Sequence, residues 1–294
     1  MTPIHSTTFP IRYYECDILG HLNNASYLKL MQEAAFEASK AVGYDRHVYA
    51  EMGKIWLIRE TEIEYRFPVY YGQTVKVCTW VEDVRRIRSL RKYELYVEDH
   101  SDPAAVAQTD WVFVDRTTGN PSSVPPEVGQ AYLGNDADVT PQPRRRFPPT
   151  PDPAPEIFSM QKRVEWRDLD PGGHVNNSVY LSYFDDCGMQ VAAAYGWPWE
   201  KMKAENFAIV ARKHHIEYLQ SAVLDDELII RTWVASMKRS TGVRYYEIYR
   251  ERDQALIARS HSVYVWVDLE RIRPIRVPEQ ILHSFRANIA NFED

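Results

Sequence analysis

The amino-acid sequence is written twice. Asp17, Gly20, His21, Asn23, Asn24, Tyr27 and Leu28 return as Asp170, Gly173, His174, Asn176, Asn177, Tyr180 and Leu181, at a constant offset of 153 positions and with no gap. The register holds far downstream: Ile63, Glu64 and Tyr65 match Ile216, Glu217 and Tyr218, and Thr79, Trp80 and Val81 match Thr232, Trp233 and Val234. It persists at Tyr93, Glu94 and Tyr96 against Tyr246, Glu247 and Tyr249, and at Asp115 and Pro125 against Asp268 and Pro278. A repeated pattern of apolar and polar positions asks for the same elements twice, so the 294 residues are expected to form two copies of one ordinary-sized domain.

Proline marks the division. Seven of the eighteen prolines fall between Pro141 and Pro155, which excludes helix or central strand there and favours extended polyproline conformation. Roughly fifteen such residues reach on the order of 45 Å at about 3.1 Å each, enough to cross a small domain. The expected organisation is a first domain at 1–138, a proline-rich linker at 139–157 and a second domain at 158–294.

Several function classes are disfavoured at once. A net charge of -6 gives no global attraction to a polyanion, so nucleic acid is not expected as a partner. No apolar run approaches the roughly 18–20 residues of a spanning helix, and the mean hydropathy is -0.46. The first residues show neither a basic region nor an apolar core of a signal peptide, so a cytoplasmic setting is expected. Cys16, Cys78 and Cys187 are three, without CxxC spacing, and read as small buried hydrophobes rather than a disulfide or zinc framework. Nothing reads as a GxSxG elbow, Walker loop, GxGxxG or HExxH, and neither metal nor cofactor is expected.

Within a copy, a short strand at 9–15 leads to a loop ending in GHLNN. From residue 24 to 42 apolar residues recur at spacings of three and four, which predicts a helix with Asn23 or Asn24 as cap and Gly43 as stop. Tyr180, Tyr183, Phe184, Cys187, Val191 and Ala194 repeat this before Gly196. Alternating segments rich in Val, Ile, Thr, Tyr and Trp predict strands at 56–67, 74–84, 90–97 and 105–114, and again at 208–218, 227–235, 242–250 and 257–267. One enclosed helix followed by antiparallel strands is an α+β plan, a curved sheet wrapped around its helix. Such a sheet has long edges and an open face that a second copy can cover. Trp80, Trp111, Trp233 and Trp266 are expected in the core. The arginines at 85, 86, 88 and 91 and at 144–146 are expected to be solvated, and adjacent His214 and His215 to face opposite sides of a strand.

The segments ECDILGHLNNASYL and DLDPGGHVNNSVYL resemble the signature loop and helix start of hotdog-fold thioesterases, with the 4-hydroxybenzoyl-CoA thioesterase-like and acyl-ACP thioesterase groups nearest. An acid three residues before glycine, then His, two Asn and Tyr, occurs twice at a predicted loop-to-helix junction. The resemblance covers nearly the whole chain outside the linker and tails. It implies a tandem (double) hotdog fold whose halves pair within the chain, hydrolysis of acyl-CoA or acyl-ACP thioesters, and no cofactor.

The chemistry asks for an activated water or a carboxylate nucleophile, and for positive potential at the developing oxyanion. A thiolate leaves without much help, by analogy with the cysteine thiol. Asp17 and Asp170, just before helix N-termini whose amides face the same way, are the catalytic candidates as general base or nucleophile. His21 and His174 are candidates to orient the carboxylate, hold water or contact the thioester, and Asn24 and Asn177 to donate hydrogen bonds. Gly20, Gly173, Asn23, Asn176, Tyr27 and Tyr180 complete the candidate substrate-binding set.

Each has a plain alternative: an Asx-turn for the aspartates, helix caps for the asparagines, loop satisfaction for the histidines, core for the tyrosines. Plant-type acyl-ACP thioesterases usually carry Asn two residues after the aspartate, where this chain has Gly172, and a later acid or cysteine near the positions of Ser221 and Ala222. Their first half lacks the GHxNN loop kept here, which favours the more symmetric mode and leaves two active sites per chain open. A hotdog hydratase or dehydratase usually places His five residues after the aspartate rather than four. A non-catalytic acyl-thioester binding module is the alternative outside enzymology.

Overall fold

The structure is a computed structural model that describes residues 3–98, 100–134, 144 and 146–290. The chain divides into two compact units, Met1–Arg146 and Phe147–Asp294. The first runs β1 (His5–Pro10), a 3-10 turn (Tyr13–Glu15), α1 (Asn24–Ala41), α2 (Arg46–Glu51), β2 (Lys54–Tyr65), β3 (Thr74–Val84), β4 (Arg88–Val97), β5 (Ala105–Asp115) and α3 (Pro126–Leu133). The second runs β6 (Phe158–Arg163), a 3-10 turn (Trp166–Asp168), α4 (Asn177–Ala194), α5 (Trp199–Ala204), β7 (Phe207–Tyr218), β8 (Glu227–Met237), β9 (Thr241–Arg250), β10 (Ala255–Asp268), β11 (Arg273–Pro274) and α6 (Glu279–Ser284). The expected strand at 9–15 is displaced: pairing with β3 ends at Pro10, and Tyr13–Glu15 turn away as 3-10 helix.

Each unit is an antiparallel sheet, ordered β1-β3-β4-β5-β2 in the first and β6-β8-β9-β10-β7 in the second. The duplication extends to irregularities. Register shifts at Val81/Asp83 of β3 and at Val234/Ser236 of β8 stand at equivalent positions. Those in β2 and β7 both fall at an arginine, Arg59 and Arg212. An extra residue bends the bulged strand and increases its twist, which lets a sheet curve around a helix.

The long helices fill that curve with alanine and aromatic side chains. In α1, Ala25, Tyr27, Leu28, Leu30, Met31, Ala34, Ala35 and Ala38 are buried, and in α4 Tyr180, Leu181, Tyr183, Phe184, Cys187, Val191 and Ala192. Tyr27 meets Tyr65 edge-on at 5.0 Å, Tyr180 meets Tyr218 at 5.6 Å, and Phe184 packs on Tyr246 at 5.1 Å. Beyond the helix ends, α3 packs Val128, Tyr132 and Leu133 on Val81 and Phe113, and α6 packs Ile281 on a cluster holding Val234 and Trp266. Trp111, Trp233 and Trp266 are buried as expected, whereas Trp80 is half-buried and donates its indole N–H to Glu82 at 3.2 Å.

The arginines depart further from expectation. Arg85 pairs with Asp83 at 3.0 Å, Arg88 pairs with Asp110, and Arg91 is buried over the Tyr132 ring. Arg144 joins Asp83 and Asp110, two carboxylates buried in the first unit. Charges taken out of water need partners, and this cluster supplies them. Arg86 and Arg146 are exposed, and Arg145 lies outside the described residues. Cys187 is buried, which pushes its thiol up to about 12, but Cys16 and Cys78 are only half-buried.

Residues 139–143 of the expected linker lie outside the described residues. The rest packs. Phe147 stacks edge-on against His215 at 4.7 Å, Arg259 lies over its ring, Thr150 meets the Tyr245 hydroxyl at 3.1 Å, and the Asp152 carbonyl accepts from the Trp233 indole. This extended segment covers the sheet face opposite α4.

His214 and His215 do face opposite sides. His214 lies on the helix side, fully buried, with Nδ1 at 2.8 Å from the Ser262 hydroxyl. Thr61 holds the equivalent position in the first unit. Burial pushes His214 down to about 3 and His261, beside His215, down to about 4. An imidazole whose folded-state pKa lies below its unfolded value stabilises the fold fully above about pH 6.5 and loses that contribution as pH falls toward the folded value. Chemical denaturation of the second unit should therefore show stability declining between about pH 6.5 and pH 4. In His214→Thr the slope should be shallower by about 1.4 kcal/mol per pH unit. Equal slopes would show that His214 is not held neutral.

Candidate active site

Each repeated loop is closed on its own backbone. The Asp17 N–H donates to the His21 carbonyl at 2.7 Å, and the Gly20 N–H donates back to the Asp17 carbonyl at 3.0 Å. In the second copy Asp170 and His174 pair at 2.9 Å, and Gly173 donates to Asp170 at 2.9 Å. The turn needs a left-handed residue, and Gly20 and Gly173 supply it with φ of 77° and 79°.

The carboxylates belong to the same turns. Asp17 Oδ1 accepts from the Leu19 and His21 amides at 2.9 and 3.1 Å, and Asp170 Oδ1 accepts from the Gly172 amide at 2.7 Å. These are Asx-turn bonds, and they hold the carboxylate without hiding it: both aspartates are half-buried. The recorded bonds fall on Oδ1, so Oδ2 takes no part in the turn.

Two contacts fasten each loop to its unit. The Leu22 amide donates to the Val69 carbonyl at 2.7 Å, and the Val175 amide to the Ala222 carbonyl at 2.9 Å, tying the loop to the connector between the first two long strands. The amides of Asn23 and Asn176 donate to the carbonyls of Glu15 and Asp168, both at 2.9 Å. The asparagine side chains then cap the helices, accepting from Ala25 in α1 and Ser178 in α4 at 2.9 Å. Asn24 and Asn177 are the first helical residues, and their carbonyls accept from the hydroxyls of Tyr65 and Tyr218 at 3.3 and 3.2 Å.

Tyr27 and Tyr180 stand one turn further in, both buried. The Ala222 amide donates to the Tyr180 hydroxyl at 3.1 Å, and the Tyr27 hydroxyl meets the backbone at Val69. Burial pushes both phenols up, Tyr180 to about 12, so they act as neutral hydroxyls. In each copy the structure thus brings Asp, Gly and His together in one turn, with cap and tyrosine behind it.

The copies differ at the imidazole. His21 is half-buried and meets Tyr70 edge-on at 5.1 Å, while His174 is exposed. Burial holds His21 below its ordinary pKa, partly opposed by Asp17. Two features escaped the sequence reading. One is Tyr70, whose counterpart is Val223, so the repeat gave no signal. The other is the acid two residues before each aspartate. Glu15 accepts from the Arg12 amide at 2.8 Å, and buried Asp168 accepts from the Glu165 amide and the Tyr183 hydroxyl at 2.8 and 2.7 Å. That acid recurs at the repeat offset and was legible there. Among the described residues no group of three or more His, Cys, Asp or Glu side chains is arranged to hold a metal ion. No helix of the described residues is long and apolar enough to cross a membrane.

The sequence pattern of the family described as the thioesterase-like superfamily matches residues 11–132 and again residues 164–285. The chain belongs to this superfamily. Among curated proteins it is 28% identical over 130 residues to the acyl-CoA thioester hydrolase YbgC of Escherichia coli, across 44% of this chain and 96% of that protein. It is 25% identical over 185 residues to a chloroplastic acyl-[acyl-carrier-protein] hydrolase of Cuphea viscosissima, across 60% of this chain and 45% of that protein.

Among solved structures, a putative oleoyl thioesterase from Lactobacillus plantarum matches with a TM-score of 0.77 at 16% identity, over 90% of this chain and 96% of that one. The 12:0-ACP thioesterase from Umbellularia californica matches at 0.68 and 19%, over 89% of this chain and 93% of that one. These likenesses establish the fold, a tandem hotdog in which each sheet wraps its long helix.

The loop geometry makes a quantitative prediction for its glycines. A Cβ at Gly20 or Gly173 meets no atom within 4 Å, so the cost of a side chain is that of the left-handed backbone alone. Gly20→Ala and Gly173→Ala should each lower unfolding stability by about 1 kcal/mol, measured by urea denaturation. A loss several times larger in either would mean that the loop repacks.

Proposed function

We propose that this chain hydrolyses acyl thioesters, of coenzyme A or of a carrier protein, through the carboxylates of Asp17 and Asp170. The observation that carries the reading is the closed turn, present twice, that holds a half-buried carboxylate in the loop leading into a capped helix N-terminus. The names of the similar proteins support it, since they are hydrolases of acyl-CoA and acyl-[acyl-carrier-protein] thioesters.

The chemistry follows from the parts. A carboxylate fixed through Oδ1 keeps Oδ2 for a water or for the thioester carbon itself. As base, it takes a proton from water while the oxygen attacks the carbonyl. As nucleophile, it forms an anhydride that water then opens. Both routes pass through an oxyanion, which the positive end of the α1 or α4 dipole stabilises. Collapse breaks the carbon–sulfur bond, the thiolate leaves with the electron pair, and it takes up the proton.

The first-turn amides of Ala25 and Ser178 are committed to the asparagine caps. Oxyanion stabilisation therefore draws on the helix end as a whole rather than on those two donors. His21 and His174 stand beside the carboxylates, where an imidazole hydrogen-bonds water or substrate.

Asparagine preserves the Oδ1 acceptor of the turn while removing the charge, so it separates chemistry from folding. The double variant Asp17→Asn/Asp170→Asn should lose on the order of 10²–10⁴-fold in kcat/KM, assayed by thiol release from a panel of acyl-CoA and acyl-ACP substrates. Turnover at the wild-type rate would refute the assignment.

A further inference from the structure

The two loops share a backbone but place their imidazoles differently, and the neighbouring residues account for it. In the second copy Gly172 lies between carboxylate and imidazole: a Cβ added there would stand 2.9 Å from Asp170 Oδ1 and 3.2 Å from His174 Nδ1. The His174 ring therefore occupies space that exists because position 172 has no side chain. The first copy carries Leu19 at that position. A leucine side chain crowds the same imidazole placement, and His21 lies elsewhere.

Tyr70 receives it. His21 and Tyr70 form an isolated antiparallel bridge, and their rings meet at 5.1 Å and 84°. Tyr70 is itself fixed at the backbone, where its N–H donates to the Gln73 side chain at 2.7 Å and its carbonyl accepts from the Gln73 amide at 3.2 Å. The second copy has Val223 here, its amide bonded to Asp226 at 3.0 Å, and valine offers no ring edge. His174 is accordingly exposed and His21 half-buried. The first carboxylate is also the more firmly held, by two amides against one.

We propose that the first loop turns over substrate in its own right, and that Tyr70 is the positioning residue that holds His21 beside Asp17. The inference rests on the thioester-hydrolase reading and assigns a residue that the repeated motif does not contain. Tyr70 acts through His21. It supplies an edge against which the imidazole keeps one orientation, and a misplaced group at a reacting centre costs far more rate than binding.

The test uses the full chain in an Asp170→Asn background, where hydrolysis reports the first loop. Short-chain acyl-CoA substrates serve as probes, with thiol release followed under saturating and limiting substrate. Tyr70→Val, which copies the second loop, should lower kcat by on the order of tenfold to a hundredfold with little change in KM. Tyr70→Phe keeps the ring and should restore kcat to within about threefold of the parent, as expected for a contact made by the ring edge.

Equal losses in the Val and Phe variants, or a rise in KM with unchanged kcat, would overturn the positioning role. An inactive Asp170→Asn parent beside an active wild type would overturn the assignment of turnover to the first loop while leaving the hydrolase reading intact. A wild type inert toward the whole panel would sink that reading, and this inference with it. Urea denaturation of each variant, with unfolding stability within about 1 kcal/mol of the parent, separates a kinetic effect from a folding defect.

Discussion

The site depends on one backbone hydrogen bond per copy, from Leu22 to Val69 and from Val175 to Ala222. It joins a loop to a connector more than forty residues away in sequence, at the point where the long helix begins. Without it the Asx-turn would still close, because its bonds are local, but the loop would lose its tie to the connector and keep only the bond from Asn23 or Asn176 back to the preceding turn. The tyrosines reinforce the joint from behind: Tyr65 and Tyr218 reach from the sheet to the first helical carbonyl. Tyr27 and Tyr180 reach from the helix to the connector. Loop, helix and connector are thereby triangulated by groups that need no water to satisfy them, which is how a short loop becomes precise enough for chemistry.

Duplication preserved what shapes the sheet and released what lines it. The bulges in β2 and β3 recur in β7 and β8, since losing one would flatten a sheet that has to curve around a helix. On the helix-facing side the chemistry diverged. Thr61 became equivalent to His214, Ala107 to Ser260 and Thr109 to Ser262. His214, Ser262 and Ser260 form a hydrogen-bonded chain among fully buried groups. A network of this kind holds one arrangement only while every member keeps its partner. The connectors diverged too. The turn after β2 is closed by Gln73 in one unit and by Asp226 in the other, and Asp226 then requires Arg250 and Arg252 to balance its charge.

Much of this was legible because it is periodic. The eight long strands could be placed within two residues, as alternation over four to eight positions is a strong signal and β3 needs only its own residues to announce 74–84. The family followed from the spacing of Asp, Gly, His, Asn and Tyr at a helix start. What the sequence hid was pairing between distant groups. Arg88 and Arg144 looked like solvent-facing charge because nothing local shows that Asp110 comes to meet them both, with Asp83 as a second partner of Arg144. The proline segment looked like a free linker because its partners, Tyr245, Trp233 and His215, lie from 68 to 95 positions away. At 9–15 the apolar and aromatic residues imitate a strand, but Pro10 ends the pairing, and Tyr13 and Tyr14 are exposed.

The two loops differ where a repeat gives no warning. A motif records the residues that both copies retained, and those suffice to close the turn, cap the helix and present a carboxylate. The imidazole is set by residues outside the motif, Leu19 and Tyr70 against Gly172 and Val223. A glycine leaves the ring room beside the carboxylate, whereas a leucine crowds that space and the imidazole meets the connector instead. Two copies with identical signatures can therefore hold the same side chains in unlike environments, one imidazole half-buried against an aromatic edge and one in solvent. The difference lies in how water and neighbouring side chains constrain a histidine, and a count of conserved-looking letters does not contain it.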